Sequence, residues 1–202
     1  MRIALLRHGP TDWNAQGRIQ GHTDTPLSEA GRAKMSGLRL PPEFAGARLF
    51  ASPSIRARQT AAALGLIEPA LDARLMEQNW GRWEGLTTDA IRARDGADCF
   101  ARAGLKQEFR PPGGESTAEL MARVAAFLTD TARTRKDAVA VAHFGVLRAA
   151  YTLATGWAME TIMPQELDVA KILVLALAED GTPAIHQLNA PFVAQDGRGR
   201  SL

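Results

Sequence analysis

Short apolar runs of strand length alternate with amphipathic segments of helix length along the chain. This alternation predicts an α/β fold: a three-layer α/β/α sandwich around a mostly parallel sheet of about six strands. The predicted strands are residues 2–7, 48–52, 70–74, 138–142, 170–177 and 184–188.

The clearest helix signal begins at Ser116. Together with Glu119 it forms a capping box, which opens a helix that is predicted to run to about Arg133. Apolar residues recur on one face of this segment, so that face is expected to pack inward. The inward residues are Leu120, Val124, Phe127 and Leu128.

Other helices are predicted from weaker signals. Thr11 or Asp12 caps a short turn, Thr87 or Thr88 starts a helix towards Arg94, and another helix begins at Gly145. A helix over 26–38 has the apolar stripe Leu27, Ala30, Ala33 and Leu38, and a helix over 53–64 has Ser52 as its N-cap.

A chain of 202 residues is expected to form one domain. We expect the domain to span residues 1–195, with a lid-like insertion at about 86–115 that contains a long loop interrupted by Gly and Pro. The tail, residues 196–202, is expected to be flexible.

Composition narrows the classes of partner. The formal net charge is +2, and the positive charge is almost all arginine, scattered along the chain. Because no basic block with interleaved aromatic residues occurs, nucleic-acid binding is not expected, whereas a local pocket for a small anion is. Whether the chain forms a homodimer is left open.

The compartment is predicted from cysteine usage and hydropathy. Cys99 is the only cysteine, so no disulfide can form within the chain, which favours a reducing cytoplasm. No stretch approaches the ~18 apolar residues that cross a bilayer, and the N-terminus does not have the pattern of a signal peptide. We therefore expect a cytoplasmic protein without a membrane partner.

The candidate chemistry begins where the first strand should end, at Arg7, His8 and Gly9. Arginine can bind an oxyanion with two parallel hydrogen bonds, histidine can act as a nucleophile, and glycine lets the backbone approach a ligand. Taken alone, the triplet fits equally well a strand-end salt bridge beside a core histidine. His143, at the end of the strand over 138–142, is a second histidine in such a position.

Six ordered segments form one larger pattern along the chain. They are Arg7 to Asn14, Gln20 to Gly31, Ser52 to Ala61, Glu77 to Gly85, Pro112 to Ser116 and His143 to Gly145. Together they resemble the histidine phosphatase superfamily, also called the phosphoglycerate mutase-like family. The resemblance covers the chain from Arg2 to about Ala150 and implies a phosphoglycerate mutase-like fold.

The resemblance implies a role for each matched side chain. His8 would be the nucleophile that forms a phosphohistidine, and Glu77 the general acid. The clamp on the phosphoryl oxygens would be Arg7, Arg56 and a protonated His143, a set that could replace a metal. No metal or cofactor is therefore expected. Further contacts to substrate would come from Asn14, Gln20, Gly21, Glu115 and Phe144.

Several of these residues, and some of their neighbours, also have plainer interpretations. Glu84 is a weaker acid candidate than Glu77, and Glu115 fits equally well a residue that only leads into the next helix. Packing or surface positions are expected for Arg58, His22, His186, Trp80 and Trp83.

The sequence departs from the family pattern at two positions. Pro10 stands where the family usually has Glu, and little damage is expected there because that side chain is outside the catalytic set. Phe144 follows the late histidine where many members have Gly, and its ring is expected to narrow the pocket.

Two reactions fit such a site. Mutases of the family are generally longer, with an insertion after the acid segment, and this chain is short between Glu77 and Pro112. We therefore favour hydrolysis of small phosphorylated metabolites over a mutase reaction. Two further functions stay open: a non-catalytic phospho-ligand binding module on the same fold, and a metal-dependent hydrolase, for which the chain lacks the usual motifs.

Overall fold

The computed structural model describes residues 1–100, 107–159 and 161–195. The predicted flexible tail, residues 196–202, lies outside the described residues, as does the segment 101–106 of the predicted lid.

Eight strands form two sheets in this part of the chain. They are β1 (Arg2–Arg7), β2 (Leu38–Arg39), β3 (Arg48–Ala51), β4 (Ala70–Leu71), β5 (Ala138–Ala142), β6 (Ile172–Leu177), β7 (Pro183–Ala190) and β8 (Val193–Ala194).

Six α-helices connect and cover the strands over the same residues. They are α1 (Asp12–Ala15), α2 (Glu29–Ser36), α3 (Ile55–Ala63), α4 (Thr88–Asp95), α5 (Thr117–Ala132) and α6 (Phe144–Thr155). Short 3₁₀ turns lie at Pro42–Phe44, Ala73–Leu75 and Gly81–Trp83.

The main sheet has six strands in the order β4-β3-β5-β1-β6-β7. β4, β3, β5 and β1 pair in parallel, whereas β6 is antiparallel to β1 and to β7. In an open sheet of this kind, ligands bind beyond the carboxyl ends of the parallel strands. The predicted mostly parallel sheet of about six strands is confirmed.

Helices cover both faces of the sheet. On one face, α5 and α6 pack on alternate residues of β1, β5 and β6, and Phe127 and Leu147 are among the buried side chains. On the other face, Met35 of α2 and Leu64 of α3 pack on the intervening residues. Since side chains of a strand alternate between faces, each central strand contributes to both cores. The fold is therefore the predicted three-layer sandwich.

The capping box at Ser116 is present, and its helix, α5, ends at Ala132. Ser116 accepts from the backbone N–H of Glu119, whose carboxylate accepts from the backbone N–H of Ser116. All four predicted inward side chains of this helix are buried. A capping box and a long stripe together therefore gave the most accurate helix prediction.

The stripe predicted over 26–38 is wrong. The helix begins at Glu29, after Ser28 caps it by accepting from the backbone N–H of Gly31, and it buries Gly31 and Met35. Ala30 and Ala33 are exposed. Leu38 lies beyond the helix and pairs with Ala194 in the two-stranded sheet, a long-range contact that helical periodicity does not report.

Two further boundaries differ from prediction. The helix expected from Pro53 begins at Ile55, and Ser52 does not cap it, because its hydroxyl is directed to a histidine described below. The strand expected over 70–74 ends at Leu71, since Asp72 caps a 3₁₀ turn by accepting from the backbone N–H of Arg74.

Part of the predicted lid packs into a small third core. Trp83, Ile91 and Phe109 are buried together, and Trp80 and Phe100 pack against them. This cluster confirms that Trp83 is a packing residue. In the described part of the chain, no helix is long and apolar enough to span a bilayer.

Candidate active site

Two strand ends bring the two predicted histidines together. β1 and β5 are neighbours in register, with Arg7 opposite Ala142, and the backbone N–H of His8 donates to the carbonyl of Ala142 at 2.9 Å. The rings of His8 and His143 lie with their centroids 5.2 Å apart. The parallel pairing thus places side chains that are far apart in sequence at one edge of the sheet.

The ring of His8 is held by its own neighbour in the chain. Its Nδ1 lies 2.7 Å from the carbonyl oxygen of Gly9. Since a carbonyl oxygen only accepts, Nδ1 carries the proton and Nε2 carries a lone pair. Burial, followed by the charges of Arg7 and Arg56, lowers the pKa of His8 to about 3. His8 is therefore a neutral imidazole with a nucleophilic nitrogen at neutral pH.

His143 is held through the opposite ring nitrogen. Its Nε2 lies 2.8 Å from the hydroxyl of Ser52 and 3.3 Å from that of Ser54. Its Nδ1 is buried and has no hydrogen-bond partner among the described residues. Burial, followed by the nearby His8 ring, holds the pKa of His143 well below its ordinary value. A buried cation beside two arginines is unfavourable, so protonation of His143 stays a prediction that needs the charge of a bound anion.

Two arginines supply the positive charge. The guanidinium of Arg56 is 0% exposed and donates to the carbonyl oxygens of Gly21 and Thr23 at 2.7 and 2.9 Å. Arg7 lies over the ring of Phe144, 5.8 Å from its centroid. Burial lowers the pKa of both guanidiniums, yet arginine stays charged in proteins. The Nε atoms of both are buried without a partner in the described structure, so both can donate to an oxyanion.

Glu77 reaches the same place from the segment before the third 3₁₀ turn. Its carboxylate accepts from the backbone N–H groups of Gln78 and Gly145, at 2.8 and 3.0 Å. A Cβ on Gly145 would lie 2.3 Å from Oε1 of Glu77, so only glycine allows this approach. The first turn of α6 therefore fixes the carboxylate that the family pattern predicts as the acid.

A cavity of about 210 Å³ joins these groups. Asn14, Gln20, Gly21 and Phe144, all predicted to contact substrate, line it. Its other lining residues are Arg7, His8, Arg56 and Glu77 from the predicted catalytic set, together with Arg18, Ile19 and Trp80. His143 is not among the lining residues, since it is fully buried behind His8.

The two amides in the cavity have their oxygens engaged. Oδ1 of Asn14 accepts from the backbone N–H of Thr11, and Oε1 of Gln20 accepts from the hydroxyl of Thr25 at 2.6 Å. The hydroxyl of Thr11 lies 3.0 Å from both amide oxygens. Because both amide oxygens are already hydrogen-bonded, the amide nitrogens are the groups that remain to donate to an anion. Such donors suit a cavity that is also lined by arginines.

Glu115 is placed elsewhere, so the prediction that it contacts substrate is wrong for this structure. It does not line the cavity, and its carboxylate forms an ion pair with Arg123 at 2.6 Å. Arg123 in turn donates to the carbonyl oxygens of Arg74 and Glu77. The sequence motif alone places the carboxylate of Glu115 in the pocket, but the ion pair with Arg123 of α5 holds it elsewhere. Glu115 therefore supports the backbone that carries Glu77.

Four neighbouring residues that were not predicted to be catalytic lie at the surface or in structural positions. Arg58 and His186 are exposed, as predicted. His22 is an exposed loop residue whose Nε2 lies 3.0 Å from the carbonyl oxygen of Glu77. The carboxylate of Glu84 accepts from backbone N–H groups of the loop at His22 and Thr23, a structural position that fits its weaker ranking as an acid.

Sequence reasoning missed three supporting residues. Ser52 orients His143, and Arg123 holds the segment of Glu77. The buried hydroxyl of Thr60 accepts from the backbone N–H of Gly9 at 2.9 Å and donates to the carbonyl of Arg56 at 2.7 Å. Ser52 and Thr60 belong to the matched segment 52–61, and this membership was the only sign in the sequence that they could support the site. Their partners, His143 and Gly9, are distant in sequence, so no local pattern indicates these contacts.

The geometry thus brings a neutral histidine, two arginines and a carboxylate together in one cavity. The model of the histidine phosphatase superfamily (branch 1) matches residues 3–191, and the chain belongs to this family.

Relatives of known name fall into two groups. Proteins named 2,3-bisphosphoglycerate-dependent phosphoglycerate mutase from Methylobacterium sp. (strain 4-46) and Brucella canis (strain ATCC 23365 / NCTC 10854 / RM-666) are 35% and 31% identical; the matches cover 89% and 92% of this chain and 93% and 97% of theirs. Among solved structures, mycobacterial glucosyl-3-phosphoglycerate phosphatase in complex with VO3 is 28% identical, with a TM-score of 0.77, and the match covers 94% of this chain and 98% of that chain. YhfR from Bacillus stearothermophilus is also 28% identical, with a TM-score of 0.76, covering 94% and 96%.

Proposed function

We propose that this protein is a metal-independent phosphomonoesterase that hydrolyses small phosphorylated metabolites through a phosphohistidine on His8. The observation that carries the proposal is the orientation of His8: a neutral ring with its Nε2 unprotonated, in a cavity that also contains two arginines and the carboxylate of Glu77. Such a cavity is suited to a phosphoryl dianion, since its cations balance the charge on the equatorial oxygens.

In the first step, Nε2 of His8 attacks phosphorus and the bond to the ester oxygen breaks. Arg7 and Arg56 stabilise the charge on the transferring group. His143 is buried beside His8 and outside the lining, and its unpartnered Nδ1 is proposed to donate once an oxygen of that group reaches it. Glu77, protonated, gives its proton to the leaving oxygen, so an alcohol departs rather than an alkoxide. The products are the alcohol and a phosphohistidine beside an ionised Glu77.

In the second step, water attacks the same phosphorus and the bond to Nε2 breaks. Glu77 now accepts a proton from the attacking water and returns to its acid form. His8 is released neutral, and inorganic phosphate leaves. Dividing one displacement into two removes the need for water to displace an alkoxide directly.

Phosphoglycerate mutase activity is the second candidate, and the names of the two curated relatives favour it. The expectation that mutases are longer does not separate them from this chain, because it spans 93% and 97% of these relatives. Hydrolysis is instead supported by the solved structure named glucosyl-3-phosphoglycerate phosphatase, which matches 94% of this chain with a TM-score of 0.77.

The proposal is tested by measuring inorganic phosphate release from a panel of phosphomonoesters in the presence of EDTA. Wild type is compared with His8→Ala, and with His186→Ala as the matched control, since His186 is exposed on β7. We expect release in EDTA by wild type and the control, and none by His8→Ala. The ranking of esters then narrows the substrate.

A parallel assay separates the two reactions. Interconversion of 3- and 2-phosphoglycerate in the presence of 2,3-bisphosphoglycerate is measured against phosphate release from the same mixture. Isomerisation that outpaces phosphate release from every ester would overturn the phosphatase assignment in favour of the mutase. If neither reaction occurs, the catalytic proposal fails and a phospho-ligand binding module becomes the better account.

A further inference from the structure

A second cavity, of about 240 Å³, borders Arg7, His8 and Asn14 away from the acid. It lies between α2 and the chain that enters β6. Neither Arg56 nor Glu77 lines it. It is therefore distinct from the cavity of the candidate active site, which we call the phosphoryl cavity, although both cavities are lined by Arg7, His8 and Asn14.

The polar lining of this second cavity is cationic. Lys34 of α2 and Lys171 at the start of β6 both line it, and they are two of the four lysines of the chain. With Arg7 they make three cations, and no Asp or Glu is among the lining residues. Within the described residues neither lysine forms an ion pair, and the neighbouring carboxylate of Asp168 accepts from the backbone N–H of Ala170 instead. The cavity therefore has uncompensated positive charge.

Besides His8 and Asn14, the rest of the wall is largely apolar. Met35 is 4% exposed, and Leu38 and Phe192 are half-buried beside it. A ligand that fits both parts has one acidic group and a short hydrocarbon portion, since cations alone would favour a bare inorganic anion and apolar walls alone a neutral molecule.

We propose that this cavity binds a small amphipathic anion, its acidic group between Lys34 and Lys171 and its hydrocarbon portion on Met35, Leu38 and Phe192. The occupant is a separate molecule and not the leaving group, because the leaving oxygen must reach Glu77, which lines only the other cavity. The exclusion of the leaving group rests on the proposed function, whereas the preference of the cavity for anions does not.

Binding there affects catalysis through Arg7, which lines both cavities. An anion beside Arg7 reduces the positive potential that attracts the substrate phosphoryl group. The ligand therefore acts as an inhibitor that raises KM.

The test uses 1-hexanesulfonate, which has no ester bond to hydrolyse. It is titrated by calorimetry into wild-type protein with and without saturating vanadate, which occupies the phosphoryl cavity. We expect saturable binding in both cases, and at least about fivefold weaker binding of methanesulfonate, which lacks the hydrocarbon portion.

Variants assign the binding to the lysines. Lys34→Met and Lys171→Met keep an unbranched side chain that is one atom shorter and remove the charge, and each should weaken binding about fivefold. Lys136→Met is the matched control, because Lys136 is exposed just before the opposite end of β5, and it should bind as wild type does. Circular dichroism checks that each variant is folded.

Three results would overturn the proposal: no saturable binding in the presence of vanadate, equal affinity for the two sulfonates, or Lys34→Met and Lys171→Met proteins that are folded and bind normally. If vanadate itself fails to bind, the proposed function of the phosphoryl cavity is in doubt. The titration without vanadate still tests the cavity lined by Lys34 and Lys171, called the lysine cavity below. The two proposals thus fail separately.

Discussion

His8 and His143 follow neighbouring parallel strands, in equivalent positions, but their rings are held through opposite nitrogens. His8 is fixed through Nδ1 by the carbonyl of Gly9, which leaves Nε2 free. His143 is fixed through Nε2 by the hydroxyl of Ser52, which leaves Nδ1 free.

The chemical difference between the two partners decides what each ring can do. A carbonyl can only accept, so it fixes one tautomer of His8, the nucleophilic one. A hydroxyl can donate or accept, so His143 can keep a proton on Nδ1 and offer it to an oxyanion. In the proposed mechanism, the neighbours of two identical residues at matched strand ends therefore determine which one attacks and which one stabilises charge. The following experiments test this division, beginning with the largest effect.

Replacing His8 by Gln should remove the covalent step. We expect kcat/KM for phosphate release to fall by about 10³-fold or more, because no other described group in the cavity offers an unprotonated nitrogen. Alkaline quenching with ³²P-labelled substrate should trap base-stable label on wild type and none on His8→Gln. His186→Gln is the control. Label retained by His8→Gln would place the nucleophile elsewhere.

Replacing His143 by Gln should slow the reaction without abolishing the intermediate. Loss of one preorganised donor typically costs about 10²-fold to 10³-fold in kcat. Rapid-quench measurements should show the phosphoenzyme forming more slowly and still accumulating on His8. A variant with no detectable phosphoenzyme would contradict the division of roles between the two histidines.

Thr60→Val tests the support on the His8 side. The change removes the side-chain bond to the carbonyl of Arg56 and leaves the N–H of Gly9 unpaired in a buried place, so we expect about tenfold lower kcat/KM and about 1–3 kcal/mol lower stability. Thr60→Ser keeps the hydroxyl and should restore most of both. Chemical denaturation and steady-state kinetics measure the two effects, and a fully active Thr60→Val protein would speak against this support.

Ser52→Ala tests the support on the His143 side and should be milder. A single neutral hydrogen bond is worth about 0.5–1.5 kcal/mol, so kcat should fall about threefold while KM changes little. Ser36→Ala, at an exposed serine in the last turn of α2, is the control. A loss as large as that of His143→Gln would mean that Ser52 does more than orient the ring.

Acid stability tests the neutral state of the rings. A histidine in the unfolded chain titrates near ~6.5, whereas burial lowers the pKa of folded His8 to about 3. Between these values the unfolded state binds a proton that the folded state does not, so stability present above pH ~6.5 is lost as the pH falls towards 3. His8→Gln should therefore reduce the drop in Tm between pH 7 and pH 4.5 by about 5 °C relative to wild type.

His186→Gln is again the matched variant, because His186 is exposed on β7, away from the cavity, and its removal should leave the drop in Tm unchanged. An identical acid dependence in wild type and His8→Gln would show that the folded ring is protonated.

Local pattern was enough to predict most of the fold. Strands β1 and β5 are nearly continuous apolar runs, and α5 has both a capping box and an amphipathic stripe, so each is determined within a few neighbouring residues. Prediction failed where a distant partner decided the outcome. Leu38 joins a strand because Ala194 pairs with it, and Glu115 leaves the pocket because Arg123 binds it.

The sequence by itself determined most of the residues that line the cavity, because strand ends and the order of the matched segments are properties of the chain. Only the tertiary structure decided what each residue does there. The nitrogen that His143 presents depends on Ser52, 91 residues away, and the approach of Glu77 depends on Gly145, 68 residues away. The lysine cavity likewise forms only when α2 and β6 pack beside β1. Hydrogen bonds, burial and charge at these places are set by groups that meet through folding, so no local pattern contains them.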